Sequence, residues 1–192
     1  AGFSSRLEQG RVSQRWLPWV NLDGRRRNLL GPLAIEAPGG LRWRGGMYAG
    51  PFRLQGDALG LWTLVEQVPL ERYLEGVLPH EIGADAPAAA LAAQAVLART
   101  WALRNSGRFQ VDGYHLCADT QCQVYGDPGQ AGRAVREAIR LTRHQVLAWN
   151  GRPIQAVYHA SNGGIAAGFE EAWGGDPQPY LSPFADGPGG FA

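Results

Sequence analysis

Glu81 and Arg99 are the residues whose type and position most directly suggest chemistry. Glu81 follows Leu78 and Pro79, and an apolar setting favours the protonated form of a carboxyl group, which a general acid requires. Arg99 lies in a nearly continuous apolar run, where a guanidinium keeps its charge and needs an anionic partner. The candidate partners are Glu81 and the oxygen atoms of a ligand. The alternative is that Arg99 reaches water and that Glu81 lies on an exposed loop.

The carboxyl group of Glu81 limits the reactions that this region can support. Cleavage of a glycosidic bond needs an acid at the leaving oxygen, and ordinary hydrolases add a second carboxylate within roughly 5–10 Å. Asp85 is the nearest in sequence, but we expect it to cap the following helix. A lytic transglycosylase needs no second carboxylate, because the sugar's own 6-hydroxyl attacks the anomeric carbon. One Glu can then serve first as acid and afterwards as base.

His115, Cys117 and Cys122 form a second group with two alternative roles. Two thiolates and an imidazole can bind zinc, although the spacing is not that of a standard zinc site. With Glu81 as the base, such a site would give a zinc enzyme. A disulfide between Cys117 and Cys122 is the equally weighted alternative, and an oxidising envelope compartment favours it.

Ser161, Asn162, Gly163 and Gly164 form a polar turn after a predicted strand. Two glycines at a strand end allow the backbone to approach a ligand or a neighbouring strand closely. The chain also holds seven Trp and six Tyr, whose rings suit flat sugar rings as well as protein cores. The turn and the aromatic residues are therefore candidates for sugar binding, with core packing as the alternative for the rings.

Composition excludes several classes of protein. A net charge of +1 gives no strong electrostatic footprint for nucleic acid, and the absence of lysine excludes a lysine-based mechanism. The apolar run 86–98 is too short to cross a bilayer, and we find no transmembrane segment or signal peptide in the sequence. If an export signal was removed, we expect the protein in the cell envelope, periplasmic or extracellular.

The central predicted element is a helix over Ala88–Leu103 that begins near Pro87 and is buried on all sides, because it is apolar all round. A loop should carry Glu81 into this helix. A second helix is predicted over about 129–142, where apolar residues recur at helical spacing.

Strand patterns occupy much of the rest of the chain. The pattern over 41–68, broken by glycine pairs and Gly50-Pro51, predicts a β-meander. Asn150-Gly151 predicts a type I′ turn inside a β-hairpin over 146–160. We therefore expect a mixed α+β fold with two main helices, β-hairpins and long loops around a substrate groove. Residues 1–67 would form a β-rich segment packed on a core of residues 68–192.

Several motifs occur in a fixed order along the chain. The first three are Pro69-Leu-Glu-Arg-Tyr-Leu-Glu-Gly-Val77, Leu78-Pro-His-Glu-Ile82 and Ala92-Ala-Gln-Ala-Val-Leu-Ala-Arg-Thr-Trp101. They are followed by Cys122-Gln-Val-Tyr125, Tyr158-His-Ala-Ser-Asn-Gly-Gly164 and Ala172-Trp-Gly-Gly175 with Pro179-Tyr-Leu181. In this order the sequence resembles the stage II sporulation protein D (SpoIID/LytB) family of peptidoglycan lytic transglycosylases, from Val68 to about Leu181.

The resemblance implies cleavage between N-acetylmuramic acid and N-acetylglucosamine, leaving a 1,6-anhydro end, with Glu81 as the catalytic residue. It implies substrate-binding roles for eight further residues: Arg99, Gln123, Tyr125, Ser161, Asn162, Gly163, Gly164 and Tyr180. Some family members bind zinc near the segment that corresponds to Cys122–Tyr125, but the histidine spacing differs here. Asn162 and Ser182 also depart from the family pattern.

Two further classes of function compete with the enzyme. The first is a non-catalytic peptidoglycan-binding or amidase-modifying module, which would bind glycan without releasing a soluble product. The second is the zinc enzyme. Glycan strands are the expected partner, a cell-wall amidase is a second candidate partner, and no cofactor beyond a structural zinc is expected. The intact Glu81 and Arg99 favour the enzyme, because binding alone needs no acid.

Overall fold

The computed structural model describes residues 19–22, 24–28, 32–56 and 61–187, and its first part consists of antiparallel strands. The strands β1 (Trp19–Leu22) and β2 (Arg25–Asn28) pair with each other, as do β4 (Leu41–Trp43) and β5 (Gly46–Tyr48). A three-stranded sheet has the order β3 (Leu33–Ile35), β6 (Phe52–Gly56) and β7 (Trp62–Glu66). The strands predicted over 41–68 are present as β4 to β7, but the prediction of a single meander is wrong, because β4 and β5 form a sheet separate from that of β6 and β7. Residues 57–60 lie outside the described part.

Helices dominate the second part of the chain. They are α1 (Leu70–Glu81), α2 (Ala88–Arg104), α3 (Arg133–Leu141) and the short α4 (Phe169–Trp173). Short 3-10 turns occupy Gln110–Asp112 and Pro128–Gln130. The hairpin of β8 (Ala148–Trp149) with β9 (Arg152–Pro153) follows α3, and β10 (Ile165–Ala166) pairs antiparallel with β11 (Phe184–Ala185) across α4. The α+β class predicted from sequence is therefore confirmed.

The hydrophobic core lies where α1, α2 and α3 pack against one another. Each helix contributes one apolar face, and the fully buried side chains come from all three: Leu74, Val77, Leu78, Leu91, Ala95, Ala98 and Val135. Burial of a Leu or Val side chain stabilises a fold by about 1.5–3 kcal/mol. This three-helix core is the rigid base from which the candidate site residues project.

α2 confirms the predicted central helix, but it is less buried than predicted. Pro87 occupies the N-cap position directly before the first helical residue, so the expectation that Asp85 caps the helix is wrong. The prediction of burial on all sides is wrong, because Ala88, Ala89 and Ala93 are exposed. Alanine exposes little apolar surface and has the highest helix propensity, so a helix coated with alanine tolerates water on one face.

α1 corrects the prediction that a loop carries Glu81. The helix continues through Pro79, and Glu81 is its last residue. A proline in a helix interior costs one backbone hydrogen bond and clashes with the preceding turn. Val77 and Leu78, which directly precede this proline, are completely buried, and their packing in the core holds the helical path. Glu81 is therefore fixed by a helix rather than by a flexible segment.

The predicted hairpin is confirmed at its turn but not over its length. Asn150 and Gly151 both have positive φ, 49° and 73°, as a type I′ turn requires. The two strands are only two residues each, and residues 154–159 do not continue the ladder. The second helix is likewise shorter than predicted, because residues 128–130 form a 3-10 turn ahead of α3.

Several polar contacts join the β-rich part to the later loops. The Tyr125 hydroxyl donates to Glu66 at 2.7 Å, and the Arg53 guanidinium donates to the Gly113 carbonyl at 2.7 Å. The Met47 amide donates to Asp127 at 3.1 Å. The β-rich part thus packs against the helical part, while the proposed boundary between 67 and 68 stays a prediction. In the portion of the chain that the structure describes, no helix is long and apolar enough to span a membrane.

Candidate active site

Glu81 lies half-buried at the C-terminal end of α1, where a backbone amide contacts its carboxyl group. The Val124 N–H donates to Oε1 of Glu81 at 2.6 Å. The Tyr158 hydroxyl lies close enough to the same carboxyl group for Glu81 to raise the pKa of the phenol. A backbone amide from one loop therefore binds the carboxyl group of Glu81, and a phenol from another loop lies beside it.

A chain of hydrogen bonds leads from Glu81 into the core. The Tyr73 hydroxyl donates to Oε1 of Gln123 at 3.1 Å, and Nε2 of Gln123 donates to the Tyr158 oxygen at 3.2 Å. Because Tyr158 accepts from Gln123, its single proton is free to point at Glu81. The buried amide of Gln123 thus orients the phenol of Tyr158 as a donor to the carboxyl group.

The two phenols next to Glu81 are held in their neutral form. Burial, followed by the negative charge of Glu81, raises the pKa of Tyr158 to about 12. Burial also raises the pKa of Tyr73, with smaller contributions from Tyr158 and Glu81. Both tyrosines therefore remain hydrogen-bond donors well beyond neutral pH.

Gln94 adds a buried amide to this group. Its side chain is only 7% exposed, and its Nε2 makes no hydrogen bond of ordinary geometry within the described residues. The amide nevertheless lies close enough to the Tyr158 oxygen to lower the pKa of that phenol, against the larger effect of burial. An unsatisfied buried donor costs about 1–3 kcal/mol, so this amide beside Tyr158 lowers the stability of the fold.

Two glycines allow the loop that carries Val124 to reach Glu81. A Cβ on Gly76 of α1 would overlap with the ring of Tyr125, and a Cβ on Gly126 would overlap with the ring of His80. Without these atoms, the Gly126 amide donates to the Gly76 carbonyl at 3.0 Å. The loop therefore lies directly on α1, which brings the Val124 amide to the helix end.

Tyr125 supports the same loop from the other side. Its ring stacks on Tyr73 with centroids 5.2 Å apart, and its hydroxyl donates to Glu66. Burial and then the hydrogen bond to Glu66 raise the pKa of Tyr125. We call the cluster of Glu81, Tyr73, Gln94, Gln123 and Tyr158 the Glu81 group. Gln123 joins this group through its hydrogen bonds, whereas Tyr125 contributes by packing.

Arg99 corrects the sequence interpretation. Its guanidinium is 1% exposed and binds Glu71 through both carboxylate oxygens, with Nε–Oε1 at 2.9 Å and Nη2–Oε2 at 2.7 Å. Further bonds go to the backbone carbonyls of Ala95, Ile139 and Gln145. The candidate pairing with Glu81 is wrong, and so is the alternative that Arg99 reaches water, because α1 brings Glu71 of its first turn to the buried Arg99. This arginine ties three helices together, and the described residues leave it no free donor face for a substrate.

The two cysteines form the disulfide alternative. The Cys117–Cys122 bond closes a loop that directly precedes Gln123, with the Cα atoms 5.7 Å apart. Disulfide sulfurs are not thiolates, so the zinc ligand set with His115 is not assembled in this form. Within the described residues, no three His, Cys, Asp or Glu side chains are grouped to hold a metal ion. The disulfide loop stabilises the segment that contacts Glu81, since the Tyr125 amide donates to the Ala118 carbonyl.

The Ser161–Gly164 turn has the backbone that its sequence predicts. Gly163 and Gly164 have φ values of 66° and 101°, which favour glycine. The Asn162 side chain donates to Asp186 at 2.8 Å and accepts from the Gly164 amide at 2.8 Å. Across the described ranges no hydrogen bond joins this turn to Glu81, so its predicted role in substrate binding stays a prediction.

Tyr180 lies beside Trp149, with ring centroids 6.2 Å apart. Its hydroxyl accepts a weak bond from the Gln155 amide at 3.4 Å and donates to Gln178 at 3.0 Å. These contacts place Tyr180 beside the β8–β9 hairpin. None of these contacts is with a residue of the Glu81 group.

Sequence reasoning missed three members of the Glu81 group, Tyr73, Gln94 and Tyr158. Gln94 carried a readable signal, because it is a polar residue within an otherwise apolar stretch of α2. Tyr73 and Tyr158 lie within the quoted motifs but are distant in sequence from Glu81. Only the packing of the loops on α1 brings them together.

Comparison with known proteins indicates the protein family that the chain resembles. Residues 59–149 match the family model described as SpoIID, stage II sporulation protein. This range covers α1, α2 and α3 with Glu81, and it begins ahead of the expected boundary at residue 68. Through this segment the chain is similar to the SpoIID family, which confirms the resemblance.

Three curated relatives match more of the chain. The amidase enhancer of Bacillus subtilis is 37% identical over 108 residues, 56% of this chain and 14% of the relative. Stage II sporulation protein D of Bacillus subtilis is 30% identical over 132 residues, 61% of this chain and 38% of the relative. An uncharacterised protein of Brachyspira hyodysenteriae is 36% identical over 124 residues, 62% of this chain and 32% of the relative. The chain thus spans well under half the length of each of these relatives.

Proposed function

We propose that the chain is the catalytic part of a peptidoglycan lytic transglycosylase that cleaves the bond between N-acetylmuramic acid and N-acetylglucosamine. The supporting observation is the half-buried carboxyl group of Glu81, which accepts a hydrogen bond from the Val124 amide at 2.6 Å and has the neutral Tyr158 phenol beside it. The match of residues 59–149 to the SpoIID family model agrees with this assignment. The proposal places the protein in the cell envelope, where an oxidising medium suits its disulfide.

The proposed reaction uses Glu81 twice. Its carboxyl proton passes to the glycosidic oxygen while the bond from that oxygen to the anomeric carbon breaks. The 6-hydroxyl oxygen of the same muramic acid then bonds to the anomeric carbon, and its proton returns to the Glu81 carboxylate. No water is consumed, and no step requires a metal ion. The product carries a 1,6-anhydro end.

The protein's own contacts suit this double role. Because the Val124 amide binds the carboxyl group and Tyr158 lies beside it, its orientation is set before a substrate arrives. A preorganised acid avoids reorganisation during the reaction, which is a principal source of catalytic power. The high pKa of Tyr158 keeps its proton on the phenol while Glu81 gains and loses one.

A second candidate function follows from one relative. The amidase enhancer of Bacillus subtilis is named for an effect on an amidase. By analogy, the present chain would bind glycan strands and increase the activity of a cell-wall amidase without cleaving the strand. This function would not require the carboxyl group of Glu81.

Digestion of purified glycan strands separates the two candidates. The wild-type chain should release anhydro-muropeptides that mass spectrometry detects, and Glu81→Gln should release none while keeping the same unfolding temperature. Glu137→Gln is the matched control, since Glu137 is an exposed carboxylate on α3 that pairs with Arg140. If the Glu81→Gln chain cleaves glycan at the wild-type rate, the proposed mechanism is wrong. If neither chain cleaves glycan but both stimulate an amidase, the second function holds.

A further inference from the structure

A polar groove lies apart from the Glu81 group, between the end of α2, the β8–β9 hairpin and the loop before Leu181. Its volume is about 510 Å³. Among the residues that line it are Arg104, Trp149, Arg152, Gln178 and Tyr180, and we call it the arginine groove. None of these residues contacts Glu81 through the hydrogen bonds of the described residues.

The two arginines of the groove lack a counter-ion among the residues that the structure describes. Both are exposed, and neither forms a salt bridge with an acidic side chain in the described ranges. No described Asp or Glu lines the groove. Two nearby guanidinium groups without an anion create a local positive potential, and the planar fork of each matches a carboxylate.

Aromatic rings form another wall of the groove. The Trp149 side chain is 49% exposed although it is large and apolar, and its ring is tilted by 51° against that of Tyr180. The type I′ turn at Asn150 and Gly151 fixes the hairpin that carries Trp149. The hydrogen bond from Tyr180 to Gln178 holds the opposite ring. Two fixed aromatic faces beside two cations suit a ring that bears a carboxylate.

We propose that the arginine groove binds a sugar unit that carries a carboxylate, with the sugar ring on Trp149 and the carboxylate between Arg104 and Arg152. The proposal rests on the proposed function, in which the ligand is a peptidoglycan strand. The carboxylate then has two sources, the lactyl group of muramic acid in a peptide-free strand or the peptide stem in an intact strand. The net charge of +1 argues against a long polyanion such as nucleic acid.

The position of the groove indicates which unit of the strand it binds. Arg104 lies ten residues beyond Gln94 on α2, about 15 Å along the helix at 1.5 Å per residue. Gln94 belongs to the Glu81 group, so the groove binds a unit other than those at the cleaved bond. The groove would therefore set the affinity for the strand and leave the chemical step to Glu81.

Equilibrium binding to three oligosaccharides of equal length tests the proposal. The probes are a peptide-free glycan oligomer, a peptide-bearing one and a neutral N-acetylglucosamine oligomer, measured by calorimetry with Glu81→Gln protein so that no probe is consumed. When Arg104→Gln and Arg152→Gln are introduced together into the Glu81→Gln protein, binding of at least one acidic probe should weaken about tenfold or more. The reason is that the hydrogen bonds from the two guanidinium groups to the carboxylate are lost. Binding of the neutral probe should change by less than about twofold.

Matched variants exclude general effects of charge and aromatic content. Arg133→Gln with Arg143→Gln removes the same charge from exposed positions outside the groove and should leave all affinities unchanged. Trp149→Ala should weaken binding of all three probes, because each has a ring to stack, whereas Trp173→Ala outside the groove should not. Circular dichroism of each variant checks that the fold is kept.

The outcomes are separable from those of the proposed function, because binding is measured without cleavage. The acidic probe that depends more on the arginines identifies the source of the carboxylate. Equal losses for acidic and neutral probes, or no loss in the groove variants, would overturn the proposal. Failure of the wild-type chain to release anhydro ends would instead count against the proposed chemistry alone.

Discussion

At the scale of single residues, Tyr158 connects the chemistry of Glu81 to the core. It accepts a hydrogen bond from Gln123, which leaves its one proton for the Glu81 carboxyl group. In the proposed reaction, neutral Tyr158 would stabilise the carboxylate that forms when Glu81 has given its proton to a leaving group. Glu81 is left with this phenol and one backbone amide as partners, in place of the arginine that the sequence suggested.

Replacement of Tyr158 by Phe removes this donor. We expect kcat for glycan cleavage to fall about tenfold or more, because hydrogen bonds to charged groups contribute about 1.5–3 kcal/mol. Rates of anhydro-muropeptide release measure the effect, and Tyr48→Phe in the β4–β5 hairpin is the matched control. Unchanged kcat in the Tyr158→Phe chain would show that the phenol takes no part in the reaction.

Tyr158 also affects stability at alkaline pH. Its folded-state pKa of about 12 lies above the ordinary value of 10. The stability contributed by the neutral phenol is therefore complete below pH 10 and is lost as pH rises from 10 towards about 12. Urea unfolding at about pH 8 and about pH 11 should show a smaller loss in Tyr158→Phe than in the wild-type chain. Equal losses in both chains would contradict the raised pKa.

At the scale of secondary structure elements, the contact of α1 with the loop over 123–126 decides the site. Gly76 and Gly126 remove the atoms that would keep the two apart, so the Val124 amide reaches Glu81. The disulfide loop before Gln123 restricts the same segment. The site is thus built by a close approach between backbones, and larger side chains at either glycine would open it.

Gly76→Ala tests this contact. In a free helix the change stabilises by up to about 1 kcal/mol. Here the added methyl overlaps with the Tyr125 ring, so we expect the free energy of unfolding to fall by about 1–3 kcal/mol and glycan cleavage to decrease with it. Gly132→Ala, where a Cβ meets open space, is the control for urea unfolding. A stabilised Gly76→Ala chain with full activity would contradict the proposed role of the contact.

Elements with strong local patterns were predictable from the sequence. The alanine-rich run predicts α2, and Asn150-Gly151 predicts its turn, because both depend on local propensity. The path of α1 through Pro79 was missed, since the complete burial of Leu78 outweighs the local cost of a proline. Element lengths were also missed where pairing ends early, as in β8 and β9.

At the scale of the whole molecule, Arg99 joins the three core helices. It binds Glu71 on α1 and backbone carbonyls at the end of α3 while lying on α2. Sequence showed that Arg99 needs an anion but not which one, because the choice depends on how α1 packs on α2. The same limit applies to the Glu81 group, whose members come together only in the folded chain.

Glu71→Ala should destabilise the whole fold. It leaves a buried guanidinium without its carboxylate, and loss of one partner of a buried pair costs about 3–5 kcal/mol. Because Glu71 is 29% exposed, we expect a value at the lower end. Thermal and urea unfolding measure the change, with Glu137→Ala on the surface as the control. A double variant with Glu71→Leu and Arg99→Met should recover part of the loss, and an unchanged Glu71→Ala chain would refute the structural role.

The central claim is that Glu81 acts alone as acid and base while the sugar's own hydroxyl group replaces water. Digestion of glycan strands in water enriched in heavy oxygen, followed by mass spectrometry of the new chain ends, tests it directly. The account predicts anhydro ends without heavy oxygen from the wild-type chain and no new ends from Glu81→Gln. Heavy oxygen in the new ends, or undiminished cleavage by Glu81→Gln, would contradict it.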